Sequence, residues 1–168
     1  MPTSLKPIIG IVELVSLRGV TSGVPAKIDT GADSSAIWAS DIHVTKDGIL
    51  QFRLFDEGSP FYTGEVLERS EYTVSRVRSS NGESQVRYGV YFTVQIADKA
   101  IRVKLNLSDR SKNAFKILIG RRSISGKFLV DVRKGRELLP KPTMTADLKG
   151  KLAEDPHKFH NKYVKKEA

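Results

Sequence analysis

Over most of the first 132 residues, apolar and polar side chains alternate one for one, and turn residues break the alternation every few positions. The pattern is plainest in EYTVSRVR (71–78), QVRYGVYFTVQIA (85–97) and AIRVKLNL (100–107). A period of two places successive side chains on opposite faces of a strand, whereas a helix would need a period of 3.6. This stretch therefore builds sheet. KPIIGIVELVSL (6–17) reads as a first strand and SGVPAKID (22–29) as a second, with Pro25 suiting an edge or a strand beginning. AIWAS (36–40) fits either a strand or a helical turn. IHV and ILQFRLF are joined by TKDG, a hairpin around Asp47-Gly48. Asn81-Gly82 marks a second hairpin between 71–78 and 85–97, because both residues tolerate positive φ. DEGSPFYTG (56–64) and SDRSKN read as loops. KILIG (116–120) is a short buried strand, RRSIS (121–125) one helical turn, and FLVDV (128–132) a last strand. Many short strands in one chain of 168 residues predict a single all-β domain with a closed or folded-over sheet.

After Val132 the alternation stops. Prolines and lysines replace the β-branched residues. We divide the chain into a domain over 1–135 and a basic C-terminal extension over 136–168, helical from Thr145 to Leu152 and otherwise loosely held. Cysteine is absent, which excludes disulfides and thiolate metal sites and suits a reducing compartment. No apolar run reaches membrane-spanning length, and the first 17 residues do not form a signal-peptide pattern, so a cytoplasmic protein is expected. Charge is uneven. Residues 1–67 carry five basic and eight acidic side chains (net −3), residues 68–139 sixteen and seven (net +9). A basic middle can attract nucleic acid or an acidic substrate. Its Arg and Lys residues alternate with apolar ones, which is the pattern of a strand's solvated face, and the aromatic-plus-glycine signature of an RNA-binding sheet is missing. Nucleic acid is accordingly disfavoured as a partner.

One carboxylate stands out. The apolar run from Val24 to Ile28 ends in Asp29-Thr30-Gly31-Ala32-Asp33. Burying an unpaired charge is costly, so an acid at the end of an apolar strand needs a reason. It can cap a turn, bind a metal or take part in catalysis. Far downstream comes a second apolar strand ending in a turn, Ile117-Leu118-Ile119-Gly120-Arg121. The two motifs in this order, over about residues 8–132, resemble the retropepsins, the aspartic proteases of the retroviral type. More narrowly, KIDTGADSSAIWA, RVRSSNGES and LIGRRSISGKFLVDV resemble a bacterial group of retropepsin-like proteins labelled ATP-dependent zinc proteases and associated with ATP-grasp peptide ligases.

The resemblance implies a closed β-barrel of the acid-protease fold with one short helix after the Ile-Gly-Arg motif. It implies an aspartic endopeptidase, acting on peptides or proteins, in which Asp29 is catalytic. The alternative within the same fold is a catalytically inactive peptide-binding module. Pepsin-like hydrolysis needs two carboxylates sharing a proton around one water. Asp29 is the one aspartate followed by Thr-Gly or Ser-Gly, so the partner carboxylate must come from a second copy, in a homodimer. By the same resemblance Thr30 bonds across the dimer axis, Gly31 lets substrate approach the backbone, and Asp33 forms a buried ion pair with Arg121 beneath the site. Ala32 lacks the hydroxyl that many pepsin-like enzymes offer the carboxylate, which predicts activity at mildly acidic to near-neutral pH. Ile119 and Gly120 form the floor. The Asn81-Gly82 hairpin occupies the flap position and carries Arg76, Arg78 and Arg87. Arginines facing the cleft would favour acidic peptides, and poly-glutamate tails added by an ATP-grasp ligase would suit. The zinc label finds no HExxH: His157 and His160 are three apart in the extension, so neither metal nor other cofactor is expected.

Overall fold

The computed structural model describes residues 5–78, 84–141 and 145–164. Its elements are β1 (Ile8–Ile9), β2 (Val12–Leu17), β3 (Thr21–Asp29), β4 (Ser35–Val44), β5 (Leu50–Leu54), β6 (Leu67–Arg69), β7 (Thr73–Arg78), β8 (Ser84–Ile96), β9 (Lys99–Ser108), β10 (Ile117–Gly120), α1 (Arg121–Ile124), β11 (Leu129–Val130), α2 (Thr145–Glu154) and α3 (Pro156–Tyr163). A 3-10 turn, Arg136–Leu138, follows β11.

Six strands close a barrel in the order β10-β3-β2-β8-β9-β4, and β4 returns to β10 through Ile117–Ile37 and Leu118–Ala36. This is the all-β barrel expected, with the short helix α1 directly after Gly120. The inward residues of the alternation fill it. Val15, Val24, Ile37, Val94, Leu105, Ile117 and Ile119 are fully buried, each side chain stabilising the fold by roughly 1.5–3 kcal/mol. β5 and β6 extend the sheet beyond β4, and β7 pairs only with the first half of β8. β9 pairs with β8 only from Gly89 onward, so β7 is the partner of the part of β8 that precedes it.

Several elements differ from the reading of the sequence. The first strand is two. At Gly10 a Cβ would meet the Lys134 carbonyl oxygen at 2.5 Å, because the chain after β11 crosses there and Ile11 N–H donates to Lys134 O (3.0 Å). Gly135, at φ 76°, presses equally close to Val12. β1 is thereby free to pair with β11 in a separate two-stranded sheet. β3 is an inner strand. Pro25 opposite Leu14 is tolerated because β10 pairs with β3 only from Ala26 onward. The ambiguous AIWAS is the start of the ten-residue β4. The extension holds a second helix, α3, capped by Asp155, whose carboxylate accepts from Lys158 N–H (2.9 Å), with Pro156 in its first turn. Among the described residues, no helix is long and apolar enough to cross a membrane.

Candidate active site

The parallel pairing of β3 with β10 sets Gly120 beside Asp29, so the two motifs meet at adjacent strand ends. The loop after Asp29 then folds back onto β10. Arg121 N–H donates to Ala32 O (2.8 Å) and Arg122 N–H to Asp33 O (3.3 Å). The loop lies so close that a Cβ on Gly120 would sit 2.5 Å from the Ser34 carbonyl oxygen. Glycine is required there by contact, not by φ, which is −83°. Gly31 differs: a Cβ would make only ordinary contact, 3.5 Å from Asp29 Oδ1.

The Asp29 carboxylate is held at the strand end by the loop's own backbone. Its Oδ1 accepts from Gly31 N–H (3.1 Å) and Ala32 N–H (3.2 Å), and its Oδ2 lies 3.4 Å from Lys27 Nζ. The side chain is about a quarter exposed and open to a reacting partner. Thr30, at the loop tip, is exposed, and Ile119 is buried in the barrel floor.

Asp33 does pair with Arg121, and Arg122 Nη2 stands 3.9 Å from the same carboxylate. The expectation of burial does not hold within one chain: the Asp33 and Arg121 side chains are 53% and 56% exposed. α1 is a single turn on the outside of the barrel end, so its first residues point to solvent. The buried polar contact is elsewhere. Ser35, 1% exposed, accepts from Gly120 N–H (2.9 Å) and shares a hydrogen bond with Ser123 Oγ (2.7 Å). Sequence reasoning passed over Ser35 and Ser123. The available signal was a hydroxyl just past the loop and another in the first turn of α1, whose N–H groups need acceptors.

A groove of about 750 Å³ opens beside the loop. Its walls come from Ala32–Ser35, from Ser75, Arg76 and Arg78 on β7, from Tyr91 on β8, from Arg102, Lys104 and Asn106 on β9, and from Arg122, Ser123 and Lys127 around α1. Six of these side chains are cations and one, Asp33, is an acid. The alternation does turn the arginines outward, and here the outward face is the wall of a groove. Arg102 also stacks on Tyr91, 4.3 Å from the ring centre. Asn106 is buried and its Oδ1 has no hydrogen-bond partner. Arg78 closes the β7 side, while Asn81 and Gly82, the expected flap tip, lie outside the described residues.

The residues do not fit a zinc ion. Among the described residues, no three His, Cys, Asp or Glu side chains gather where a metal could be held.

The family model described as "Retropepsin-like aspartic endopeptidase RimB" (RimB-like) matches residues 8–139. Two curated proteins named "Probable alpha-L-glutamate ligase", from Shewanella pealeana and Shewanella halifaxensis, are each 32% identical over 124 residues, covering 65% of this chain and 25% of theirs. A protein of the same name from Parasynechococcus marenigrum is 26% identical over 137 residues, covering 79% of this chain and 29% of its own. The chain thus spans only about a quarter of the length of these relatives. A crystal structure of a Legionella pneumophila protein of unknown function (DUF785) superposes with a TM-score of 0.61 at 27% identity, covering 76% of this chain and 94% of that one.

Proposed function

The chain belongs to the RimB-like family of retropepsin-like aspartic endopeptidases, and from that premise we propose that it hydrolyses acidic peptides between two Asp29 carboxylates, one from each chain of a homodimer. The observation that carries this reading is the presentation of Asp29: fixed by two backbone N–H groups, partly exposed, at a loop whose outer tip is Thr30. Two carboxylates held a few ångströms apart share one proton. The ionised member takes a proton from the water, which attacks the peptide carbonyl carbon. The protonated member gives its proton to the carbonyl oxygen. Collapse of the tetrahedral diol, with proton return to the nitrogen, breaks the C–N bond.

Acidic peptides are supported by the six cations of the groove. The relatives named as glutamate ligases point the same way, since a peptide built of glutamate is a polyanion. Their ligase name describes proteins of which this chain matches a quarter, and an association with an ATP-grasp ligase in the cytoplasm is part of the proposal.

The test is cleavage of a glutamate-rich peptide library by the parent protein and by Asp29→Asn. The substitution removes the shared proton chemistry and almost no volume, so it should abolish cleavage while leaving the circular dichroism spectrum and the oligomeric state unchanged. Undiminished turnover by Asp29→Asn ends the reading. A parent protein that binds the peptides and cleaves none is the inactive peptide-binding module instead.

A further inference from the structure

The two faces of β9 meet different surroundings. Val103, Leu105 and Leu107 point into the barrel, while Arg102, Lys104 and Asn106 alternate with them on the outer face and line the groove. Arg102 is exposed and Lys104 partly so, but Asn106 is only 3% exposed. The register explains the difference. Asn106 stands opposite Gly89 of β8 on one side and Ala36 of β4 on the other, and Thr73 of β7 stands opposite Gly89. With no side chain on one side and a methyl group on the other, the amide lies low in the groove. Glycine is required at 89 by contact: a Cβ there would come 3.1 Å from Asn106 Oδ1 and 2.5 Å from Thr73 Oγ1.

Asn106 Oδ1 has no hydrogen-bond partner, and among the described residues Arg87 Nε is the one other buried side-chain nitrogen or oxygen left so. Buried polar groups are nearly always paired, so an unpaired acceptor that faces a groove calls for a donor from the ligand. The groove itself does not supply one. Its six cations are donors, yet none is bonded to this oxygen, not even Lys104 two residues away on the same face.

The missing donor separates one kind of polyanion from another. A basic groove alone attracts any of them. Ionised carboxylates and phosphates only accept hydrogen bonds, so both satisfy the cations and neither satisfies Asn106. A peptide also carries backbone N–H groups, and a polyphosphate carries none. We propose that Asn106 is a specificity-determining residue whose Oδ1 accepts a backbone N–H of the bound peptide, so that the groove selects peptides from among polyanions. The inference rests on the reading that an acidic peptide occupies the groove, and adds how that peptide is told apart. A polyanion without N–H groups displaces water from Asn106 and puts no donor in its place, which lowers its affinity.

The experiment measures binding at low salt of three probes: an oligoglutamate, the all-ester oligomer of the same length and charge that has no backbone N–H, and polyphosphate. Asp29→Asn serves as host, so that a bound peptide is not cut. The host should bind the amide oligomer about tenfold more tightly than the ester. Adding Asn106→Leu should bring that ratio towards one by weakening the amide oligomer, with the ester and polyphosphate little changed. Adding Asn106→Asp, which keeps an acceptor but brings a negative charge, should weaken all three probes and keep the ratio. A ratio within one variant does not depend on how much of it folds. Equal binding of amide and ester by the host, or a preference that survives Asn106→Leu, overturns this inference and leaves the acidic-peptide reading standing. No binding of the oligoglutamate by the host overturns both.

Discussion

A buried hydroxyl joins the two motifs. Ser35 accepts the Gly120 N–H at the point where β10 runs into α1, and it is tied to Ser123 on that helix. Gly120 is buried, so this N–H has no water to turn to. Ser35→Ala should therefore cost about 1–3 kcal/mol, the penalty of an unsatisfied buried donor. Ser123→Ala, which removes only a hydroxyl partner of Ser35, should cost about 1 kcal/mol or less. Urea midpoints at fixed pH measure both, and a harmless Ser35→Ala would mean that the loop relaxes to supply another acceptor. Asp29 was legible in the sequence because an acid seldom ends an apolar strand, whereas Gly120 and the pairing of Asp33 with Arg121 were expected only from the resemblance to the retropepsins. Ser35 was not, because a serine after a turn has the same appearance whether it faces solvent or a buried amide. Lys27 was hidden for a related reason: in an alternating strand a lysine reads as ordinary solvent cover.

At the scale of elements, the period-two pattern marked nearly every long strand, and the turn residues placed the β4–β5 hairpin, where Gly48 has φ 78°. The pattern could not place what depends on distant chain. The break at Gly10 exists because Lys134 crosses it, and β6, only three residues long, is a strand because β5 lies beside it. The crossing segment contains a titratable turn. Asp131 accepts from the Arg133 backbone N–H and Nε (both 3.0 Å) and from its Nη2 (2.8 Å). The Arg133 side chain, then its backbone N–H, hold the Asp131 carboxyl down at about 2. An unfolded aspartate titrates near ~3.9. A folded value below the unfolded one adds stability that is fully present above about pH 4 and is lost as pH falls towards 2. The melting temperature of the parent should thus fall between pH 4 and pH 2 more steeply than that of Asp131→Asn, with the two curves parallel above pH 5. Identical slopes below pH 4 would show that the turn makes no difference to folding.

At the scale of the whole molecule, the proposed dyad would make one chain half a site. The Asp33–Arg121 pair is more than half exposed, and an exposed pair contributes roughly 0–1 kcal/mol. The same pair lies just behind the loop that must approach its copy if two Asp29 are to share a proton. Docking the loops would remove water from around Asp33, and a buried carboxylate stripped of its partner costs about 3–5 kcal/mol. The contribution of Arg121 should therefore be small in the isolated chain and larger in the dimer. Arg122, 3.9 Å from Asp33 and with 78% of its side chain exposed, should contribute little in either. Arg121→Ala is expected to leave the melting temperature of dilute protein nearly unchanged and to raise the dimer dissociation constant by about tenfold or more, equivalent to ~1.4 kcal/mol or more. Arg122→Ala should raise it by much less. Sedimentation across a concentration series separates the two effects. Equal and negligible shifts would show that Asp33 stays in water in the dimer. A parent protein that remains a strict monomer at every concentration would remove the second Asp29 altogether, and with it the dyad.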